Sequence, residues 1–196
     1  MRFFKEHSES IIRLLVNQIG ITIFALFLYT AAGAMQKEGE HIPTLFLVLI
    51  SVFSVLFYFV LIYTVVWEIG AKDKIKIDGG RAEKYPLKGL LLGLYANIPN
   101  LIINGIAFLA IILHTVGLGE IFYTIYSIPY IIGIFFESMY HGIILGLTSN
   151  LVALKDFMIG LYYFVFPLSS VLVIQFAYFM GLHEKRIIPR AKSSKK

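Results

Sequence analysis

An all-α, polytopic helical membrane protein is the fold class this sequence predicts, and three observations carry that expectation. The 196-residue chain is 58% hydrophobic and only 15% charged, with a mean hydropathy of +0.80, whereas soluble domains carry about a quarter charged residues. Its apolar residues fall into blocks of roughly 20 or more, the length that crosses ~30 Å of hydrocarbon as a helix. Its lysines and arginines collect between those blocks very unevenly. Residues 1–196 therefore form one integral membrane domain, with no block left over for a soluble one.

The first block, residues 11–35, follows Arg2, Lys5 and Arg13. Ala32-Gly33-Ala34 has the small-residue character of a signal cleavage site. The apolar run is nevertheless longer than a signal core of about 7–15 residues, so it reads as an uncleaved span. Residues 43–67, 88–114 and 157–181 are three further full spans. Between the last two lies an apolar region, 118–154, that decides the architecture.

Lys and Arg accumulate on the cytoplasmic side of short loops. If 118–154 crosses once, the six basic residues of the tail, Lys185 to Lys196, fall outside and the bias is poor. If it enters and returns, fifteen of the 17 basic residues lie inside and only Lys37 and Lys155 remain outside. The region is therefore expected to be a hairpin with arms near 121–136 and 139–154, giving five to six membrane segments and two cytoplasmic termini. Arms of ~24 Å fall short of the hydrocarbon thickness. Such a pair must thin the bilayer, tilt little, or be re-entrant and covered by protein. Glu137, Ser138 and His141 sit at its tip.

Two polar segments complete the layout: a basic cytoplasmic loop over 68–88 and a basic cytoplasmic tail over 182–196. In the loop, Lys74-Ile75-Lys76-Ile77 alternates with period two and runs into Asp78-Gly79-Gly80, which predicts a small amphipathic hairpin on the membrane surface. Lys72, Lys74, Lys76 and Arg81 are its candidate contacts to anionic headgroups or a partner. Pro86 suits the first turn of the next helix. The tail is expected to be disordered near anionic lipid. The formal net charge of +5 belongs to these membrane-flanking segments and gives no reason to invoke nucleic acid.

The polar groups inside the spans are the candidate site. Asn97, Asn100 and Asn104 fall within roughly a 60° arc of the third span, at 100° per residue. Asn97 would lie ~14 Å from Lys88, near the bilayer midplane. Pro99 removes a backbone donor beside them, so the asparagines either repair that kink and join helices, or line a ligand or ion site. Glu137 and His141, four residues apart, would face each other on a helix as a proton-handling or half-metal pair, or stand solvated at the interface. Two ligands do not make a zinc site. Gly146-Leu147-Thr148-Ser149-Asn150 echoes Gly93-Leu94-Tyr95-Ala96-Asn97, which adds Asn150 as a lead toward inverted repeats, although chance similarity in so leucine- and glycine-rich a chain explains it better.

Other polar groups read more plainly. Glu38, Glu40, His41, His114 and Glu120 would stand on the outer face without close ligand spacing. Tyrosines 123, 126, 130, 162 and 163 read as packing and interface anchors, and Pro129 and Pro167 as kinks.

Cysteine is absent, which excludes disulfides, a thiol nucleophile and thiolate metal sites. No Walker A loop, His-Glu-x-x-His pair or nucleophile elbow occurs, and nothing calls for a cofactor. Asp78-Gly79-Gly80-Arg81-Ala82 differs in register from the CDP-alcohol phosphotransferase signature and lacks its downstream aspartates.

At Asn17-Gln18-Ile19-Gly20, at Trp67-Glu68 with Gly70-Ala71-Lys72-Asp73, and at Asp78-Gly79-Gly80-Arg81, the chain resembles uncharacterised small polytopic membrane proteins of Gram-positive bacteria. The resemblance implies a plasma-membrane location and no activity. The leading functional reading is a small-molecule- or ion-binding subunit of a transport system; the alternative is a non-catalytic adaptor recruiting another membrane or cytoplasmic subunit through its basic loop. An intramembrane enzyme ranks third. The small substrate-binding subunits of vitamin transporters are an analogue in size only.

Overall fold

A computed structural model describes residues 2–36, 41–152 and 154–187. It is built from six helices: α1 (Arg2–Ala34), α2 (Thr44–Asp78), α3 (Lys88–Thr115), α4 (Ile121–Phe136), α5 (Ser138–Thr148) and α6 (Lys155–Leu182). Among the described residues there is no strand. α1, α2, α3 and α6 are long and apolar enough to cross a membrane, and α4 and α5 form a pair bent by 117°. Side chains such as Phe27, Leu45, Ile102, Leu109 and Leu172 are exposed on their outer faces, as lipid contact requires. The expected all-α architecture, four spans plus a short helical pair, is what the chain adopts.

α3 and α6 run antiparallel, and small residues let them approach. A Cβ on Gly89 would meet Gln175 and Tyr178, one on Gly93 would meet Val171, and one on Gly160 would meet Ile111. α2 and α6 run parallel through Gly70 and Gly181, where a Cβ on either would strike the other helix's backbone. Without a hydrophobic drive between helices in lipid, such close approach is what dispersion and interhelical hydrogen bonds require.

These contacts fix the ends of the bundle. The described termini and the α2–α3 turn lie at one end, and the links after α1, α3 and α5 lie at the other. The bent pair starts from that second end and returns to it. α5 packs along the beginning of α2, with Gly142 against Leu47 and Gly146 against Val48. α4 and α5 are 16 and 11 residues long, so both are short of a full crossing at 1.5 Å per residue. The first arm matches the sequence expectation, and the second is shorter because α5 ends at Thr148 rather than running to 154.

The central polar segment departs from expectation. Lys74-Ile75-Lys76-Ile77 is helix, not hairpin, and α2 continues to Asp78, leaving only 79–87 outside regular structure. The reason is tertiary. Asp73 is turned inward, where its Oδ2 accepts from Lys88 Nζ at 2.8 Å and from Tyr178 Oη at 2.9 Å, joining α2, α3 and α6. Four residues of alternation cannot compete with that anchor plus the Lys74–Asp78 pair one turn apart at 2.6 Å. Gly79-Gly80 then ends the helix as a Schellman motif: Gly80, at φ +67°, bonds to the Ile77 carbonyl and Arg81 to that of Lys76.

The tail also differs where it is described. Beyond Leu182 the chain folds back onto α2, with Trp67 Nε1 donating to the Lys185 carbonyl at 2.6 Å and the Arg186 guanidinium 3.6 Å above the Trp67 ring. The Ile187 amide donates to Tyr63 Oη. The expectation of disorder fails for 183–187 because Trp67 and Tyr63 supply partners. Residues 188–196, like Glu38 and Glu40, lie outside the described residues.

Candidate functional site

The break between α4 and α5 is where polar chemistry enters the apolar core. At Glu137 the backbone leaves the helical region, with φ −128° and ψ 27°. A helix interrupted inside protein must find other partners for its freed backbone groups. Thr22 of α1 provides them: its hydroxyl donates to the Phe136 carbonyl at 2.7 Å, and its own carbonyl accepts from Ser138 Oγ at 2.9 Å.

α5 is held from the other side by the Gly142 amide. It donates to Ser51 Oγ at 2.7 Å and Tyr29 Oη at 3.0 Å, and those two hydroxyls are themselves hydrogen-bonded.

Glu137 is completely buried, and its Oε1 accepts from Asn104 Nδ2 at 2.9 Å. Asn104 lies eleven residues from the end of α3, and Thr22 twelve from the end of α1. At 1.5 Å per residue the break therefore sits ~16–18 Å from that end of the bundle, about half of a ~30 Å hydrocarbon layer. The alternative of a tip solvated at the interface is excluded by this burial.

Two of the unsatisfied side-chain atoms belong to the Glu137–Asn104 pair, and two more lie on the helices that hold it. Glu137 Oε2 and Asn104 Oδ1 are buried acceptors without a donor, and Gln18 Nε2 and Asn100 Nδ2 are buried donors without an acceptor. Gln18 is one turn from Thr22 on α1, and Asn100 one turn from Asn104 on α3, both displaced toward the same end of the bundle. Buried polar groups in folded proteins are nearly always partnered, so the open acceptors of the hydrogen-bonded Glu137–Asn104 pair mark the break as a place for something polar. Gly133 makes the approach feasible: a Cβ there would strike Asn104 Oδ1.

The other candidates are placed elsewhere. Asn97 is buried but spent, its Nδ2 donating to the Gly93 carbonyl and to Ser170 Oγ of α6, which is the helix-joining role. His141 does not face Glu137. The backbone break at Glu137 destroys the four-residue helical spacing, and His141 Nδ1 pairs with Tyr163 Oη at 2.6 Å. Asn150 is exposed in the turn after α5, so it does not mirror the buried Asn97. Among the basic residues, Lys74 is tied to Asp78, whereas Lys72 and Lys76 border a cleft against α1.

Gln18, Thr22 and Ser170 are the participants that sequence reasoning missed. Gln18, with Asn17 beside it, and Thr22 are polar residues four apart on an apolar span, the same signal that singled out the asparagines of α3. Among the described residues no three His, Cys, Asp or Glu side chains converge.

Fold and site together define a class: an all-helical, multi-pass membrane protein whose spans enclose a broken helix pair with a buried carboxyl group at the break. No protein-family model, curated protein or solved structure matches this chain.

Proposed function

We propose that the chain is the ligand-binding subunit of a membrane transport system and that it takes a small monovalent cation at the α4–α5 break. The observation that carries this reading is Glu137, fully buried with one carboxylate oxygen unpartnered beside the unpartnered Asn104 Oδ1. A carboxyl group far from water is neutralised either by a proton or by a bound cation, and interrupted helices are a recurrent way of presenting oxygen ligands to cations at membrane depth. A carboxylate and an amide oxygen are hard donors suited to an alkali or ammonium-type ion. Gln18 and Asn100, buried with unpartnered N–H groups, lie one turn from Thr22 and Asn104 on the same two helices. The Lys and Arg distribution supports cytoplasmic termini, and the plasma-membrane location rests on the resemblance to small Gram-positive membrane proteins.

The test is thermal unfolding of the purified protein in detergent across sodium, lithium, potassium and ammonium salts at constant ionic strength. One ion should raise the midpoint selectively, by the equivalent of about 2.7 kcal/mol at 100 times its Kd. Glu137→Gln, which keeps shape and removes charge, should abolish the shift. Equal responses to all salts, or a selective shift that survives in Glu137→Gln, would refute the proposal.

A further inference from the structure

The two arms of the bent pair are held very differently. Six of the eleven residues of α5 are buried, and hydrogen bonds fix it to α1 through Ser138, to α2 through the Gly142 amide and to α6 through His141. Of the sixteen residues of α4 only Tyr126 and Gly133 are buried. Among the described residues no α4 side chain makes a hydrogen bond or ion pair to another helix; the Ser127 hydroxyl turns back onto the Thr124 carbonyl, and the one cross-helix bond is accepted by the carbonyl of the last residue, Phe136. In lipid, apolar surface lost from a helix contact is covered again by acyl chains, so hydrogen bonds and close packing decide which helices stay together. α5 has both, whereas α4 relies on packing alone.

That packing is itself imperfect. Tyr126 lies against Ala107, Ala110 and Ile111 of α3 with its hydroxyl buried and unpartnered, which penalises the seated position. Gly133 lies directly on Asn104 Oδ1, so the last turn of α4 closes over the Asn104–Glu137 pair from that side. Irregular joints flank the helix. Before it stand Gly117 at φ +84° and Gly119 at φ +123°, conformations that L side chains rarely adopt, and after it the Glu137 break at φ −128°, ψ 27°. Hinges are a few residues at element ends that absorb backbone changes of this kind.

We propose that α4 is the gate of the cation site. It lifts from α3 about the Gly117–Gly119 link and the Glu137 break, far enough to admit an ion, while α5 stays fixed. An ion shared by Asn104 of α3 and Glu137 at the end of α4 then draws the helix back to its seat. The gate's cargo rests on the cation reading; the movement does not.

Double electron–electron resonance on the purified protein in detergent tests both, since the chain is free of cysteine. Spin labels on Ile128→Cys of α4 and Leu172→Cys of α6, both exposed positions, should give two distance populations; labels on Leu147→Cys of α5 and Leu172→Cys should give one narrow population. Tyr126→Phe, which keeps the ring and removes the unpartnered hydroxyl, should shift the α4 ratio at least about fivefold toward the seated population. Of the sodium, lithium, potassium and ammonium salts, the one that raises the unfolding midpoint should enrich the same population, and Glu137→Gln should abolish that enrichment. An α4 distribution as narrow as the α5 control, or a ratio unmoved by Tyr126→Phe, would overturn the gate. Two populations that respond to Tyr126→Phe but to none of the four salts would keep the movement and remove the cation from it.

Discussion

Substituting Gly142 by alanine asks directly whether α5 is docked on α2 as closely as its contacts describe. The added methyl would meet the Leu47 carbonyl and the Ser51 hydroxyl. Overpacking costs about 1–3 kcal/mol, and the upper part of that range applies because the obstacle is backbone. Relief by moving α5 would stretch the Gly142 N–H bonds to Ser51 and Tyr29. Alanine gains about 1 kcal/mol over glycine as a helix former, which leaves a net loss of about 2 kcal/mol. Gly20→Ala provides the internal reference: the same chemistry where the new methyl meets nothing, hence a gain of up to about 1 kcal/mol. Unfolding both variants by SDS titration in mixed micelles, followed by circular dichroism, should separate them by about 3 kcal/mol. Coincidence of the two curves within about 0.5 kcal/mol would refute the close α5–α2 contact and the placement of the break that depends on it.

Further outcomes follow from the same geometry. Asp73→Asn should destabilise the protein by about 1–3 kcal/mol, since it strips the charged acceptor from a mostly buried Lys88 and from Tyr178; equilibrium unfolding that matches the parent would contradict the anchor. The cysteine-free chain permits single-cysteine labelling: positions 118 and 150 should react with an impermeant reagent from one side of the membrane, 81 and 184 from the other, and 137 from neither. Labelling of 118 and 150 from opposite sides would show that the bent pair crosses.

How much of this was legible beforehand differs element by element. The four spans were readable because each is a continuous apolar run of membrane-crossing length, and length is a one-dimensional property. The doubling back of 118–154 was readable for another reason: Lys and Arg of short loops collect on one side of the membrane, so the tail's basic residues constrained an apolar segment far from them in sequence. The amide stripe on α3 followed from helical periodicity. Its division of labour did not, since Asn97 is occupied by Ser170 while Asn104 meets Glu137 only through the packing of α3 on α4 and α6.

By itself, then, the chain's order of apolar and basic residues determined the number of spans, the return of the short pair and the presence of polar groups at depth, because hydration and charge act on each residue almost independently of its partners. Tertiary structure decided that α2 outruns the membrane to Asp78, that Glu137 is dry instead of solvated, and that Thr22 holds the backbone on both sides of it. Those outcomes depend on where freed backbone groups and buried side chains find partners on other helices, and hydrogen bonds between residues more than 100 positions apart leave no local pattern to read.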